Sequence, residues 1–229
     1  VIGVTYFEPM NYLDADGKLT GFETEFAEAV CEKMGVTPKF QKIDWDSKEV
    51  ELNSKTIDCI WNGMTATDEL KNQINFSNAY MNNSQVAVIR KADAAKYKDL
   101  ASMSGAKVVA EAGSAGEIAV KADAGLSKSY LPVKDQGTSL MEVKSKTADI
   151  AIIDAVTAAG SIGEGTDYDD LMIVDVISSA DSEVYAVGIR KSDTELTAKI
   201  NAAIKELYDD GTLAKLAEKY NLSGRVVAQ

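Results

Sequence analysis

The chain has 229 residues, 45% of them hydrophobic, a formal net charge of −12 and no histidine. That length is ample for a packed core and suits one large domain or two small ones. The charge argues against nucleic acid, whose phosphates need Lys and Arg, and against an anionic membrane surface. The missing histidine removes the usual general base and the commonest metal ligand.

No apolar run reaches membrane-spanning length. Val1 already opens a strand-like segment, so the chain reads as a processed form without a signal peptide. Residues 2–6 are predicted as a buried strand, and Asp14-Ala-Asp-Gly17 as a turn. A helix begins at Thr20 or Gly21, sets Phe22, Phe26, Val30 and Met34 on one face, and closes at Gly35. Strands over 36–43 and 57–61 flank a short helix over 47–52. This β-α-β-α-β order predicts a parallel sheet covered by helices.

A second unit repeats the organisation. Strands are predicted at 107–110, 130–133 and 150–153, and helices at 117–122 and 138–144. Gln85-Val-Ala-Val-Ile-Arg90 and Val184-Tyr-Ala-Val-Gly-Ile-Arg190 look alike and bracket this unit. Read as two crossover strands, they make it an insertion. Residues 1–88 plus 186–229 then form a discontinuous first lobe, and residues 89–185 an inserted second lobe. Such a double hinge permits closure around a ligand in the cleft. Helices over 193–209 and 212–220 close the chain, separated by Gly211.

Cys31 falls in a helical pattern and Cys59 in a strand. They read as two small apolar core residues, with a disulfide as the alternative in an oxidising compartment. Two cysteines without histidine make no zinc site. No Ser-His-Asp or Cys-His arrangement can form, and no phosphate-loop or dinucleotide motif is present. No metal and no cofactor are expected.

Several stretches, in order, carry a resemblance: Asp16-Gly-Lys-Leu-Thr-Gly-Phe-Glu-Thr-Glu25, Ile57-Asp-Cys-Ile-Trp-Asn-Gly-Met-Thr65, Phe76-Ser-Asn-Ala-Tyr80, Ala110-Glu-Ala-Gly-Ser114, Ala148-Asp-Ile-Ala-Ile-Ile-Asp154, Ala186-Val-Gly-Ile-Arg-Lys191 and Asp210-Gly-Thr-Leu213. Over nearly its whole length the chain resembles the extracytoplasmic solute-binding proteins of polar amino-acid ABC transporters. The resemblance implies a two-lobed α/β fold of the type II periplasmic-binding-protein kind, each lobe a mostly parallel sheet flanked by helices. It also implies a monomer that hands a small molecule to a membrane permease, and a location in the periplasm or at the cell surface on a lipid anchor.

The expected ligand contacts follow from chemistry and from the resemblance. A buried ammonium needs carboxylate or carbonyl acceptors, and a flat or aliphatic group is held by aromatic faces. Asp154 follows four apolar residues at the carboxyl end of a strand, where open α/β sheets bind ligands. The resemblance gives it the ligand ammonium. Asn62-Gly-Met-Thr65 ends a strand in the same way, and the resemblance assigns the Gly63 carbonyl and the Thr65 hydroxyl to the ligand backbone. A helix N-cap is the other reading of Thr65. Phe7 and Trp45 match two aromatic walls, with Asn11 at their edge. Glu8, Glu111 and Ser114 complete the set, together with Asn62 and Met64.

One departure bears on the ligand. The family places an Arg five residues after the Thr of its G-M-T motif, where its fork grips a carboxylate. Leu70 stands there, and Lys71 projects about 100° away on a helix. Acids and aromatics without that Arg favour a cationic ligand, a basic amino acid or an amine. Two other functions remain in view: a cyclohexadienyl dehydratase-like enzyme, with Glu8, Glu111 or Asp154 as acid, and the ligand-sensing domain of a receptor.

Overall fold

The structure is a computed structural model that describes residues 1–177 and 183–229. It forms two compact units, one of residues 1–83 with 182–229 and the other of residues 84–181.

The first unit contains β1 (Ile2–Val4), the ribbon strands β2 (Tyr12–Leu13) and β3 (Leu19–Thr20), α1 (Phe22–Lys33), β4 (Phe40–Lys42), α2 (Lys48–Asn53), β5 (Cys59–Ile60), α3 (Asp68–Gln73), β6 (Asn75–Phe76) and β7 (Met81–Asn83). The second contains β8 (Gln85–Arg90), β9 (Val108–Glu111), α4 (Ala115–Ala122), β10 (Tyr130–Val133), α5 (Gln136–Lys144), β11 (Ile150–Asp154), α6 (Ala155–Ser161) and β12 (Leu171–Val176). The chain then returns to the first with β13 (Glu183–Tyr185), β14 (Gly188–Ile189), α7 (Thr194–Asp209) and α8 (Thr212–Lys219).

Each unit is built on a five-stranded sheet with the same plan. The orders are β4-β1-β5-β14-β6 and β10-β9-β11-β8-β12. In each, the first three strands are parallel, the fourth runs the other way, and the fifth pairs antiparallel to the fourth. Four strands of each sheet therefore point one way. Both faces of the second sheet are covered. Val86, Val88, Ala151 and Ile153 pack on one side with Leu140 and Val143. Ala87, Ile89, Ile150 and Ile152 pack on the other with Val120 and Leu126. That is why its strands read as unbroken apolar runs rather than alternating ones.

The expected crossover strands are placed differently. Residues 85–90 lie wholly in the second sheet, as its reversed strand β8. The run 184–190 is broken: Tyr185 ends β13, which pairs with β7, and Gly188 and Ile189 form β14 between β5 and β6. The boundaries accordingly fall at 83/84 and 181/182 rather than at 88/89 and 185/186. Residues 178–182 of the expected insert lie outside the described residues.

The likeness of the two Arg-Lys runs has a structural cause. Arg190 Nη1 donates to the carbonyls of Leu52 (3.2 Å) and Ile57 (2.5 Å), Nε to Asp193 (2.8 Å) and Nη2 to Asp58 (3.1 Å). Arg90 repeats the pattern with the carbonyls of Val143 (2.6 Å) and Ala148 (2.7 Å), with Asp93 (2.6 Å) and with Asp149 (3.4 Å). Each guanidinium thus ties a helix end and the following turn to the reversed strand. The turns are Ser54-Lys-Thr-Ile-Asp58 and Ser145-Lys-Thr-Ala-Asp149, and Lys55 (φ 66°) and Lys146 (φ 69°) take the same left-handed conformation. A fork of fixed donors satisfies carbonyls that a helix terminus leaves open.

Cys31 and Cys59 are both buried free thiols. Burial pushes the Cys59 thiol up to about 12.

Two predictions follow from this packing. Arg190→Met removes the side-chain donor from the Ile57 carbonyl and the guanidinium from Asp58 and Asp193. It should lower unfolding free energy by about 2–4 kcal/mol in urea titration, whereas Lys199→Met, which removes an exposed helical pair with Glu195, should cost under about 0.5 kcal/mol. Because only a thiolate attacks disulfides, Cys59 should stay unreactive towards an aromatic disulfide reagent at pH 8 in the folded protein and react promptly in urea.

Candidate functional site

The carboxyl ends of the parallel strands gather most of the expected residues, unit by unit. In the first unit, β1 runs into a tight turn in which the Phe7 N–H donates to the Asn11 carbonyl (2.7 Å) while the Phe7 carbonyl accepts from Met10 and Asn11 (3.0 Å each). Phe7 is buried and Glu8 is exposed. After β5 comes Asn62-Gly63-Met64-Thr65. Gly63 has φ +54°, and a Cβ there would lie 2.8 Å from Phe7 Cζ and 3.3 Å from Tyr185 Cζ. Glycine is the residue that fits both the backbone and the space.

A buried carboxylate holds this corner. Glu23, in the first turn of α1, is fully buried. It accepts the Gly63 N–H on both oxygens (2.8 and 2.9 Å), the Asn11 amide (2.8 Å) and the Tyr80 hydroxyl. Burial and then the adjacent Glu23 charge hold the Tyr80 phenol well above its ordinary range, so it remains a donor. The first N–H groups of α1 bond back to the turn, Phe22 to the Pro9 carbonyl (2.9 Å) and Glu23 to that of Met10 (3.0 Å).

This network engages two of the expected ligand contacts. Asn11 is fully buried, with its amide nitrogen on Glu23, Trp61 O (3.3 Å) and Asn62 Oδ1 (3.2 Å) and its oxygen accepting Thr24 Oγ1 (2.9 Å). Asn62 Oδ1 accepts the Thr5 N–H (2.6 Å), and its nitrogen donates to Thr5 Oγ1 (2.5 Å). Both amides are turned into the protein, because a buried polar atom takes the partners nearest to it. Met64 is also inside, packed with Ile43, Ile57, Ile60 and Ile74. Trp45 is buried in that same cluster, and Lys48 Nζ lies 4.7 Å from its ring centroid.

Thr65 is half-buried opposite Tyr185. The residue that caps α3 is Thr67, whose hydroxyl accepts the Leu70 N–H at 3.3 Å. Leu70 packs against the core cluster. Lys71 is exposed and paired with Asp68 at 3.0 Å.

In the second unit, Glu111 ends β9 and Asp154 ends β11, and both are buried. Asp154 Oδ1 accepts Gln85 Nε2 (2.6 Å) and Oδ2 accepts Gln136 Nε2, while the Asp154 N–H donates to Gln136 Oε1 (3.0 Å). Ser114 is the N-cap of α4, its hydroxyl accepting the Glu117 N–H at 3.1 Å. The Gly113 N–H donates to Glu117 at 2.9 Å, and the Ser114 N–H donates to the Glu111 carbonyl at 3.2 Å. Partial burial favours the protonated form of Glu117, but donors from Lys121, Gly113 and Tyr130 outweigh it and hold its carboxyl below the ordinary range. Among the described residues, no group of three or more His, Cys, Asp or Glu could hold a metal ion, and no helix is long and apolar enough to cross a membrane.

Sequence reasoning missed Glu23, Gln85 and Gln136. Each had a signal. Glu23, Ala27 and Val30 share helical spacing on an inward face. Gln85 is the one polar residue opening the apolar run of β8, and its antiparallel register sets it opposite Asp154.

Gly63→Ala is expected to cost about 1–3 kcal/mol in stability through backbone strain and overpacking against Phe7. Differential scanning fluorimetry of the purified variant would measure it, with Gly224→Ala, where nothing lies within 4 Å of the added methyl, as the control.

Residues 1–223 match the family model of bacterial extracellular solute-binding proteins, family 3. The arginine-binding extracellular protein ArtP of Bacillus subtilis is 33% identical over 218 residues, covering 93% of this chain and 82% of its own. A substrate-binding protein of an ABC uptake transporter from Streptococcus pneumoniae, solved with bound histidine, superposes with a TM-score of 0.87 at 37% identity, covering 96% of this chain and 90% of its own. An ancestral arginine-binding protein bound to arginine gives a TM-score of 0.88 at 32% identity, with 96% of each chain covered. The fold is that of the type II periplasmic binding proteins, and the chain belongs to the bacterial extracellular solute-binding proteins, family 3.

Proposed function

We propose that this protein is the extracytoplasmic ligand-binding component of an ABC uptake system, and that it takes a small amino-acid-like or cationic amine ligand and delivers it to a permease without chemical change. The observation that carries the reading is the pair of buried carboxylates, Asp154 and Glu111, each at the carboxyl end of a parallel strand of the second unit. Taking a carboxylate out of water is costly, and a ligand ammonium offsets that cost with a charge-assisted hydrogen bond. The residues of the first unit that the same reading assigns to a ligand are Phe7, Trp45, the Gly63 backbone and Thr65. Glu8 stands at the exposed rim of the first set.

Relatives whose names record arginine, cystine, histidine and lysine as ligands support the amino-acid-like class. Leu70 packed into the core and Lys71 turned to Asp68 favour the cationic end of that range. The relatives named are binding proteins, which supports a role without catalysis.

A ligand that binds only the folded state raises the melting temperature with concentration. In a thermal-shift screen, L-arginine, L-lysine, L-histidine or agmatine should raise it, and L-glutamate should not. A rise with L-glutamate alone would overturn the cationic reading. Asp154→Ala should weaken the best ligand by about 2–4 kcal/mol in calorimetry, since it strips an ammonium of its buried partner. Wild-type affinity in that variant would remove Asp154 from the site.

A further inference from the structure

Asp154 occupies the N-cap position of α6. An aspartate there ordinarily accepts N–H groups of its own helix's first turn. Asp99, Ser114 and Asp135 do so at their helices. The Asp154 side chain makes no such bond. Its two oxygens are drawn instead to the amides of Gln85 and Gln136, and the second amide also holds the Asp154 N–H. Both glutamines are buried, at 1% and 7% exposure. Their placement is built into the fold. Gln85 lies opposite Asp154 in the β8–β11 register, and it has room because residue 116 is glycine: a Cβ there would come within 3.1 Å of Gln85 Oε1 and 2.9 Å of the Ile152 carbonyl.

We propose that Gln85 and Gln136 are positioning residues, which pull the Asp154 carboxylate off the N-terminus of α6 and hold it in the orientation that receives the ligand's ammonium. The inference rests on the reading of Asp154 as the ammonium's partner. Amides suit the task for a physical reason. A carboxylate has about four acceptor sites, and each amide N–H uses one. An amide adds no positive charge, so it fixes the carboxylate without competing with an incoming cation, as Lys or Arg would. The helix N-terminus is the rival: its partial positive charge would otherwise orient the carboxylate along the helix axis.

The test uses Gln136→Met, Gln85→Met and Asp154→Asn. Calorimetry is run with whichever of L-arginine, L-lysine and agmatine binds the wild type most tightly, and amide hydrogen exchange is followed at Thr157, the third residue of α6. Each Gln→Met variant should lose at least ten-fold in affinity while exchange at Thr157 slows several-fold, because the released carboxylate turns to cap the helix. A packing role alone would lower affinity and speed that exchange together, and this outcome overturns the proposal. So does wild-type affinity in both variants. If one variant fails to fold, the other decides. If Asp154→Asn loses binding while both methionine variants keep it, only this inference falls. If Asp154→Asn binds like the wild type, or none of the three probes binds at all, the reading of Asp154 falls and this inference with it.

Discussion

A carboxylate cut off from water must find its donors inside the protein, and the corner of the first unit is organised around that need. Glu23 takes the Gly63 N–H, the Asn11 amide and the Tyr80 hydroxyl. Each of these donors is neutral, and together they stabilise the charge by hydrogen bonding. The bonds join α1, the turn at 7–11, the end of β5 and the segment before β7. Any one of them broken leaves a buried polar group unsatisfied, which costs more than the bond contributes when made. The corner is therefore cooperative, and the backbone of Gly63 and the ring of Phe7 are held because Glu23 cannot be satisfied with them elsewhere.

The two sheets share a strand order, and the matching turns Ser54–Asp58 and Ser145–Asp149 put their central strands in correspondence. Counting five residues on from each aspartate, Gly63 of one unit corresponds to Asp154 of the other. The same place in the fold presents a peptide group in one sheet and a carboxylate in the other. Each is fixed by partners from neighbouring strands and helices: Glu23 on the first, the two glutamines on the second. One scaffold, used twice, thus offers two different polar faces.

Much of this was legible in the sequence. Strands with both faces covered announce themselves as apolar runs, and residues 85–90 were delimited as they are found. The short strands were not. β14 has two residues, and its separation from β13 follows from pairing with β5, β6 and β7, which no local pattern reveals. The same limit applies to the site. Asp154 and Glu111 stood out because charge at the end of an apolar strand is conspicuous. Asn11 and Asn62 were read as facing a ligand because a sequence shows that a residue is polar but not where its partner lies. Their partners, Glu23 and Thr5, are 12 and 57 positions away.

The paired arginines have a consequence for how such a protein changes over generations. Arg90 and Arg190 act where the central strands begin, at Asp149 and Asp58, the ends opposite those that hold Asp154 and Gly63. The arginine clamps and the proposed ligand contacts therefore sit at opposite rims of each sheet. Side chains at the carboxyl rim can be exchanged there while the clamps keep the helix ends and the reversed strand in register. Ligand preference is thereby free to drift within a lineage without first eroding the ability to fold.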